Sequence, residues 1–328
     1  MTPNVATDRP VLVTGASGFI GGAIARSLRA QGRSVVSIDV TGTPDLRMDA
    51  ADTRVLDAIR HGTYHAVVHQ AGISNTLERD RKRLLENNTR KPLELADAAA
   101  EARVLFIYAS SFSVYGNTGR RSVSEADIAS SSGPLNPYAE SKLRLDQEMA
   151  ARFAGGDWLG LRYTNAFGPN EPTHGRMASV ISKWLQQSAS GQPIEIFDGT
   201  EDSGRDFVEV DRITAVILRR LARSTQPKPC GVFNLGSGTT VTFGELIDWC
   251  RDFSGQPPAI RAIPFTIGHQ YQHWTSADMT ALIAYYPDLG WGDRRRLKEY
   301  AGLCWRAFRA SAKERGHLAE TTFRPACQ

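Results

Sequence analysis

The sequence predicts an α/β fold whose main part is a doubly wound parallel sheet covered by helices. In the first half of the chain, short apolar runs alternate with segments that carry apolar residues at helical spacing. From about Asn165 onward the rhythm changes to short strands separated by turns, which predicts a smaller mixed α/β domain. We expect this second part to pack over the carboxyl edge of the sheet, where ligands bind in such folds.

Each element of this fold has its own signal in the sequence. The apolar runs that predict parallel strands are residues 11–14, 35–38, 66–69, 104–108 and 159–163. The second half predicts a helix around 178–187 and strands in PIEIF, RDFVEV and GVFNLG. We therefore divide the chain into a sheet domain, residues 1–165, and a mostly substrate-binding domain, residues 166–328, which returns segments to the sheet.

Length, charge and cysteine content exclude several classes of protein. The chain has 328 residues, and its net charge of +4 comes from scattered basic residues, so we expect no nucleic-acid partner. The N-terminal MTPNVATDRP lacks the apolar stretch of a signal peptide, and no apolar run has the length of a membrane span. We expect a soluble, cytoplasmic protein without a membrane partner. The cysteines lie far apart without ligand spacing, which predicts neither a metal site nor a disulfide.

The first predicted strand runs into a glycine-rich turn that is typical of a Rossmann-type dinucleotide site. Gly15, Gly18 and Gly21 follow this strand and open the next helix. The first glycine allows a tight turn, the second lets backbone N–H groups approach a pyrophosphate, and the third permits close packing of the helix. The other predicted cofactor contacts of this loop are Ser17, Phe19 and Ile20. A plain glycine-rich turn between strand and helix is the alternative.

Asp39 ends the second predicted strand and favours NAD over NADP. Its carboxylate can accept both hydroxyls of a ribose and would repel a 2′-phosphate, and the following VTGTP supplies no cation. The ordinary alternative is a turn cap. Asp49, beyond a third short strand, is placed near the adenine, although it could equally cap a helix.

A serine, a tyrosine and a lysine predict proton and hydride chemistry beside the dinucleotide. Lys142 follows Tyr138 by one helical turn in PYAESK, so both side chains lie on one face of a helix. A free tyrosine has a pKa of about 10, and a neighbouring cation lowers it toward the range of a general base. Ser111, in ASSFSVYG, can donate to the oxygen where charge develops. Taken alone, the tyrosine and lysine spacing occurs on many ordinary helices.

Together these motifs resemble the extended short-chain dehydrogenase/reductase family, which includes nucleotide-sugar epimerases and dehydratases. The resemblance covers nearly the whole chain and implies that Ser111, Tyr138 and Lys142 are the catalytic set, with the last two also touching the cofactor. Two further cofactor contacts are implied, Ala71 in HQAGIS and Asn88. The implied substrate contacts are Ser111, Asn165 in RYTNAFGP, Arg205 in GRDFVEV and Tyr271 in QYQHWT. An arginine fork suits the diphosphate of a nucleotide.

Within this family the chain is similar to the nucleotide-heptose 6-epimerases. Dehydratases of the family carry acidic residues after the catalytic serine or threonine, where this chain has Phe112 and Ser113. The segment GPNEPTHGRMASV follows the heptose-epimerase pattern but places His174 where those enzymes carry a second catalytic lysine. Because the pKa of a histidine lies near neutrality, His174 is a candidate second acid/base, with a solvated loop residue as the alternative.

The sequence therefore predicts an NAD-dependent epimerase of a nucleotide-diphosphate sugar, a heptose or other higher sugar, that oxidises an alcohol to a ketone and reduces the other face. The alternatives are a 4-epimerase of nucleotide hexoses, a net NAD-dependent nucleotide-sugar dehydrogenase, and a dinucleotide-binding sensor without catalysis. The resemblance also implies a homo-oligomer, either a dimer or a larger assembly.

Overall fold

The computed structural model describes residues 9–171, 178–222, 227–265 and 271–322. The strands are β1 (Val11–Thr14), β2 (Val35–Asp39), β3 (Leu46–Arg47), β4 (Ala66–His69), β5 (Leu105–Ser111), β6 (Trp158–Tyr163), β7 (Asn165–Phe167), β8 (Ile194–Phe197), β9 (Gly204–Glu209), β10 (Gly231–Leu235), β11 (Thr240–Thr242) and β12 (Ile260–Ile263).

The helices alternate with the strands in the first half of the chain. They are α1 (Phe19–Ala30), α2 (Thr53–Arg60), α3 (Arg81–Leu85), α4 (Lys91–Glu101), α5 (Pro137–Arg152), α6 (Val180–Ala189), α7 (Val210–Leu221), α8 (Phe243–Ser254), α9 (Thr280–Ile283) and α10 (Arg294–Thr322). A π-helical turn, Glu86–Arg90, joins α3 to α4. Within the described ranges, no helix is long and apolar enough to cross a membrane.

The main sheet has seven strands in the order β10-β6-β5-β4-β1-β2-β3, and every neighbouring pair is parallel. The chain winds outward from β1 in both directions, which confirms the predicted doubly wound sheet. GVFNLG forms β10 and pairs with β6, so this segment of the second half returns to the main sheet. The short strand β3 also joins this sheet beside β2.

Alternating side chains of the strands fill two apolar layers, one on each face of the main sheet. Val11 and Val13 point into the layer that contains Ile24 of α1, whereas Leu12 points into the layer that contains Ile59 of α2. Because both faces are covered by helices, the strands are apolar in almost every position.

A smaller mixed part follows the main sheet, as the sequence predicts. Its strands form a three-stranded sheet, β11-β9-β7, with one antiparallel and one parallel pair, and a parallel pair, β12-β8. A third apolar cluster joins these strands to α6, α8 and α10, with Trp184, Phe207 and Trp305 among its members. Since β7 directly follows β6, this part begins at the carboxyl edge of the main sheet.

Candidate active site

A cleft of about 740 Å³ opens at the carboxyl ends of the central strands of the main sheet. It brings together most of the residues that the sequence predicts for the site. Those that line it are Gly15, Gly18, Phe19, Ile20, Gly21, Asp39, Asp49, Ala71, Ser111, Tyr138, Lys142 and Asn165. Ser17, Asn88, Arg205 and Tyr271 are not in its lining, and His174 lies outside the described residues.

The glycine turn leaves room for a phosphate because its backbone is packed more closely than any side chain would allow. Gly15 has a φ of +67°, and a Cβ atom there would lie 2.6 Å from the amide nitrogen of Ala71. A Cβ atom on Gly21 would lie 2.2 Å from the carbonyl oxygen of Gly15. Gly18 is the N-cap of α1 and has no side chain to satisfy the first N–H groups of the helix. These donors and the helix dipole fit the pyrophosphate of a dinucleotide.

Hydrogen bonds of Ser17 connect the glycine turn to Asp39 and to the residues that follow it. Its amide donates to Asp39 Oδ2 at 3.0 Å, and its hydroxyl donates to the carbonyl of Thr41 at 2.8 Å. Thr41 in turn donates to Asp39 Oδ1 through its amide. The carboxylate therefore fixes the turn while its remaining lone pairs stay available to a ribose.

An arginine that the sequence analysis missed lies beside Asp39. The register of β2 and β3 pairs Asp39 with Arg47, and Arg47 Nε donates to the carbonyl of Val40 at 3.4 Å. The signal was hidden because β3 has only two residues, both exposed. Asp39 therefore has a basic residue as its neighbour across the sheet, although the VTGTP segment itself contains none and the described side chains of Asp39 and Arg47 form no ion pair.

Asp49 binds a lysine instead of capping a helix. Lys91 Nζ lies 2.5 Å from Asp49 Oδ2, and the amide of Ala51 donates to Asp49 Oδ1. Burial alone would raise the pKa of Asp49, but Lys91 and these hydrogen bonds lower it overall. The N-cap of α2 is Asp52, so the helix-cap alternative for Asp49 is wrong. Lys91 also lines the cleft and was not predicted.

Asn88 lies behind the cleft, in the π-helical turn. It is fully buried. Its Oδ1 accepts from the amide of Ile73 at 2.8 Å, and its Nδ2 donates to the carbonyl of Ile73 at 3.0 Å. It also donates to the hydroxyl of Ser141 on α5 at 3.1 Å. Asn88 therefore ties the chain after β4 to the helix that carries Tyr138 and Lys142.

Ser111, Tyr138 and Lys142 meet at one end of the cleft. Ser111 is the last residue of β5, and α5 begins directly before Tyr138 with Asn136 as its cap, whose side chain accepts from the amide of Ala139. Lys142 Nζ donates to the carbonyl of Ala109 at 2.9 Å, which anchors the ammonium beside β5.

Burial sets the ionisation of both α5 residues. It raises the pKa of Tyr138, although a hydrogen bond to Ser111 acts in the other direction. Burial also lowers the pKa of Lys142 to about 8, against the attraction of Asp146. Tyr138 is therefore protonated at neutral pH in the protein alone, and an additional positive charge nearby would lower its pKa.

A buried polar network lies beneath this set and was not predicted. Asp146, one helical turn beyond Lys142, accepts from Arg162 Nε at 2.8 Å and from the hydroxyls of Tyr108 and Ser110, each at 2.9 Å. The signal in the sequence was the continued four-residue spacing along α5. Because three partners come from β5 and β6, the network fixes α5 against the sheet.

The predicted substrate residues lie toward the smaller part of the molecule. Asn165 Nδ2 donates to the carbonyl of Asp206 at 3.2 Å. The guanidinium of Arg205 lies 5.0 Å from the ring centre of Tyr271 and 5.3 Å from that of Phe243. No carboxylate among the described residues forms an ion pair with Arg205, and burial lowers its pKa. A half-buried guanidinium without a carboxylate partner fits an anionic ligand.

The described residues on either side of 172–177 line the cleft. Glu171 and Ser179 line the cleft, and Glu171 accepts from the amide of Ser179 at 2.6 Å and from its hydroxyl at 2.8 Å. Burial raises the pKa of Glu171, although these hydrogen bonds oppose the shift.

The fold and the cleft define a Rossmann-type, dinucleotide-binding enzyme with a serine, a tyrosine and a lysine at the reacting end. Residues 11–236, more than half of the chain, match the NAD dependent epimerase/dehydratase family. The chain belongs to this family. This membership confirms the predicted family, the fold class and the NAD cofactor. It also confirms the assignment as a nucleotide-sugar epimerase.

Named relatives agree with this membership, and solved structures agree with the fold. ADP-L-glycero-D-manno-heptose-6-epimerase of Pseudomonas aeruginosa is 33% identical over 308 residues, which cover 83% of this chain and 91% of the relative. The crystal structure of the Helicobacter pylori enzyme of the same name superposes with a TM-score of 0.76 at 22% identity, covering 91% of this chain and 96% of that chain. The UDP-glucose 4-epimerase of Thermus thermophilus, solved with NAD, gives a TM-score of 0.74 at 26% identity, covering 92% of this chain and 99% of that chain.

Proposed function

We propose that this protein inverts a side-chain carbon of a nucleotide-activated heptose, with an ADP-glycero-manno-heptose as substrate. The observation that carries the proposal is the meeting of Ser111, Tyr138 and Lys142 at the end of a cleft built for a dinucleotide. The substrate follows from the resemblance to heptose-6-epimerases, which extends over most of both chains.

Each member of the catalytic set has one role in this proposal. Tyr138 takes the proton of the alcohol, Lys142 lowers the pKa of Tyr138 by its charge, and Ser111 donates to the substrate oxygen. NAD, when bound, supplies the hydride acceptor for the oxidation and the hydride donor for the reduction. Inversion requires the ketone to present its other face, and His174 is the proposed acid/base for that face.

We place the substrate contacts other than Ser111 in residues 166–328 and at their border with the main sheet. Asn165 reaches the cleft itself, whereas Arg205 and Tyr271 provide a cation and an aromatic face for the nucleotide diphosphate. Phe112 is buried and apolar where an elimination step would need an acidic residue, which supports epimerisation over dehydration. We further propose that the enzyme works in the cytoplasm as a homo-oligomer, and light scattering of the purified protein measures the oligomeric state.

The test is an incubation with NAD and one epimer of ADP-glycero-manno-heptose, followed by NMR of the sugar and absorbance of the reduced cofactor. We expect the other epimer to accumulate without net formation of NADH. Tyr138→Phe is the control, because it removes one hydroxyl and leaves the ring in place.

Other outcomes identify the alternatives. Interconversion of UDP-glucose and UDP-galactose, with the heptose unchanged, would identify a hexose 4-epimerase. Net accumulation of NADH would identify a dehydrogenase. Binding of NAD without conversion of either sugar would favour the sensor.

A further inference from the structure

Gln70 and Tyr163 form a polar pair in the cleft that the proposed mechanism does not use. Gln70 directly follows β4, and Tyr163 is the last residue of β6. The hydroxyl of Tyr163 donates to Gln70 Oε1 at 3.2 Å, and both residues line the cleft. The two strands are not neighbours, because β5 lies between them. The pair therefore crosses the carboxyl end of β5.

The amide group of Gln70 has a donor that the described residues leave unsatisfied. Gln70 Nε2 is buried and has no hydrogen-bond partner in the described part of the chain. Exchanging the nitrogen and oxygen of the amide does not remove the problem, since the hydroxyl of Tyr163 can reach one of the two atoms and the other stays unpaired. Burial raises the pKa of Tyr163, so its hydroxyl remains protonated and able to hold the amide. Buried polar groups in native proteins nearly always have a partner.

The position of this donor along the cleft indicates what the partner is. At one side, a Cβ atom on Gly15 would lie 2.7 Å from the carbonyl carbon of Gln70, so Gln70 is packed against the glycine turn. At the other side, the register of β5 and β6 pairs Tyr163 with Ser111. The amide thus lies between the phosphate-binding turn and the reacting end. A dinucleotide with its pyrophosphate at the turn and its reactive ring near Tyr138 must lay its nicotinamide half across this interval.

We propose that Gln70, held by Tyr163, positions the nicotinamide half of NAD by donating its free amide N–H to an oxygen of the ribose or carboxamide. The buried hydroxyl of Thr164 also has no partner among the described residues, and Thr164 lines the same cleft. The amide is neutral, so it can orient the cofactor without changing the charge that Tyr138 experiences. This inference extends the proposed function, since it rests on NAD as the cofactor.

The test compares two ligands that share the adenine half. NADH contains the nicotinamide half and ADP lacks it. NADH is titrated by its fluorescence, and ADP is titrated by its displacement of bound NADH, because the proposed substrate also contains ADP and calorimetry would not separate its site from the cofactor site. Gln70→Met keeps the length of the side chain and removes the amide. We expect Gln70→Met to weaken NADH binding about tenfold, the effect of losing one buried hydrogen bond, and to leave ADP binding within about twofold. Tyr163→Phe releases the amide without removing it, so we expect a loss for NADH of about threefold.

Each contrary result overturns the proposal. Unchanged NADH affinity in Gln70→Met would mean that a buried water satisfies the amide. Equal losses for NADH and ADP would mean that Gln70 only supports the glycine turn. Neither titration contains a sugar, so the outcome is independent of whether the protein epimerises a heptose.

Discussion

The two ends of the ligand-binding region are built from different kinds of contact. At the cofactor end, backbone approaches backbone so closely that a Cβ atom on Gly21 would lie 2.2 Å from the carbonyl oxygen of Gly15. At the substrate end, the guanidinium of Arg205 lies about 5 Å from the centres of two aromatic rings, one of them Tyr271, and donates to the carbonyl of Gly204. At Gly15 and Gly21 nothing larger than hydrogen fits, whereas the substrate end is formed by side chains.

This difference explains how the chain can share its cofactor with a large family and differ in its substrate. The glycine turn, the start of α1 and Asp39 come from one stretch of chain. The substrate end is assembled from β9, the first residue of α8 and Tyr271. We therefore expect a small change at the cofactor end to be more damaging than a larger one at the substrate end.

The largest effect is expected from Gly21→Ala. The added methyl group would overlap the carbonyl of Gly15, so the turn must open and lose its fit to a pyrophosphate. Overpacking of this kind costs about 1–3 kcal/mol, and we expect NADH to bind up to about 100-fold more weakly in a fluorescence titration. The matched control is Gly244→Ala, also in a helix, where the nearest atom would lie 3.7 Å away. If both variants bound NADH like the native protein, the close backbone approach would be irrelevant to the cofactor.

Arg205→Met tests the substrate end. Methionine keeps much of the side-chain length and the contact with Tyr271 but removes the charge. Loss of a charge-assisted hydrogen bond to a phosphate is expected to weaken the nucleotide sugar about 10- to 100-fold, with NADH binding unchanged. Calorimetry with ADP-heptose and fluorescence with NADH measure the two affinities separately. A loss of NADH binding of the same size would show that the two ends are not independent.

How much of each end was predictable follows the same division. The strands, the glycine turn and the Tyr138–Lys142 face could be predicted because each depends on residues close together in the chain. The pairing of Arg47 with Asp39 could not, since it depends on the register of a two-residue strand. The contact between Gln70 and Tyr163 could not either, because it joins strands that are not neighbours in the sheet.

Lys142 lies between the two ends, and its ionisation predicts a limit on activity at alkaline pH. Burial lowers its pKa to about 8, so the cation is present below this pH and is lost above it. In the proposed mechanism Tyr138 depends on this charge, so we expect turnover to fall by up to about tenfold per pH unit above the pKa. The measurement is the rate of epimerisation against pH at saturating substrate. In Lys142→Arg the guanidinium stays charged, so the fall should move to higher pH even if the maximum rate is lower. An unchanged alkaline limit in this variant would assign it to another group.

The smallest effect concerns the choice between NAD and NADP, where Asp39 and Arg47 act in opposite directions. The carboxylate of Asp39 repels a 2′-phosphate, while Arg47 stands beside it and would attract one. Because Asp39→Ala also removes the hydrogen bonds that hold the glycine turn, we expect it to weaken NAD and to shift the ratio of the two affinities several-fold toward NADP, about 1 kcal/mol for a partly exposed charge. Adding Arg47→Gln to this variant should remove the gain for NADP and leave NAD unaffected, because the 2′-hydroxyl carries no charge. Titration of the native protein and both variants with the two reduced cofactors gives all the affinities.

Tighter binding of NADP by the native protein would show that Arg47 outweighs Asp39. If NADP gained equally with and without Arg47, the carboxylate alone would set the preference.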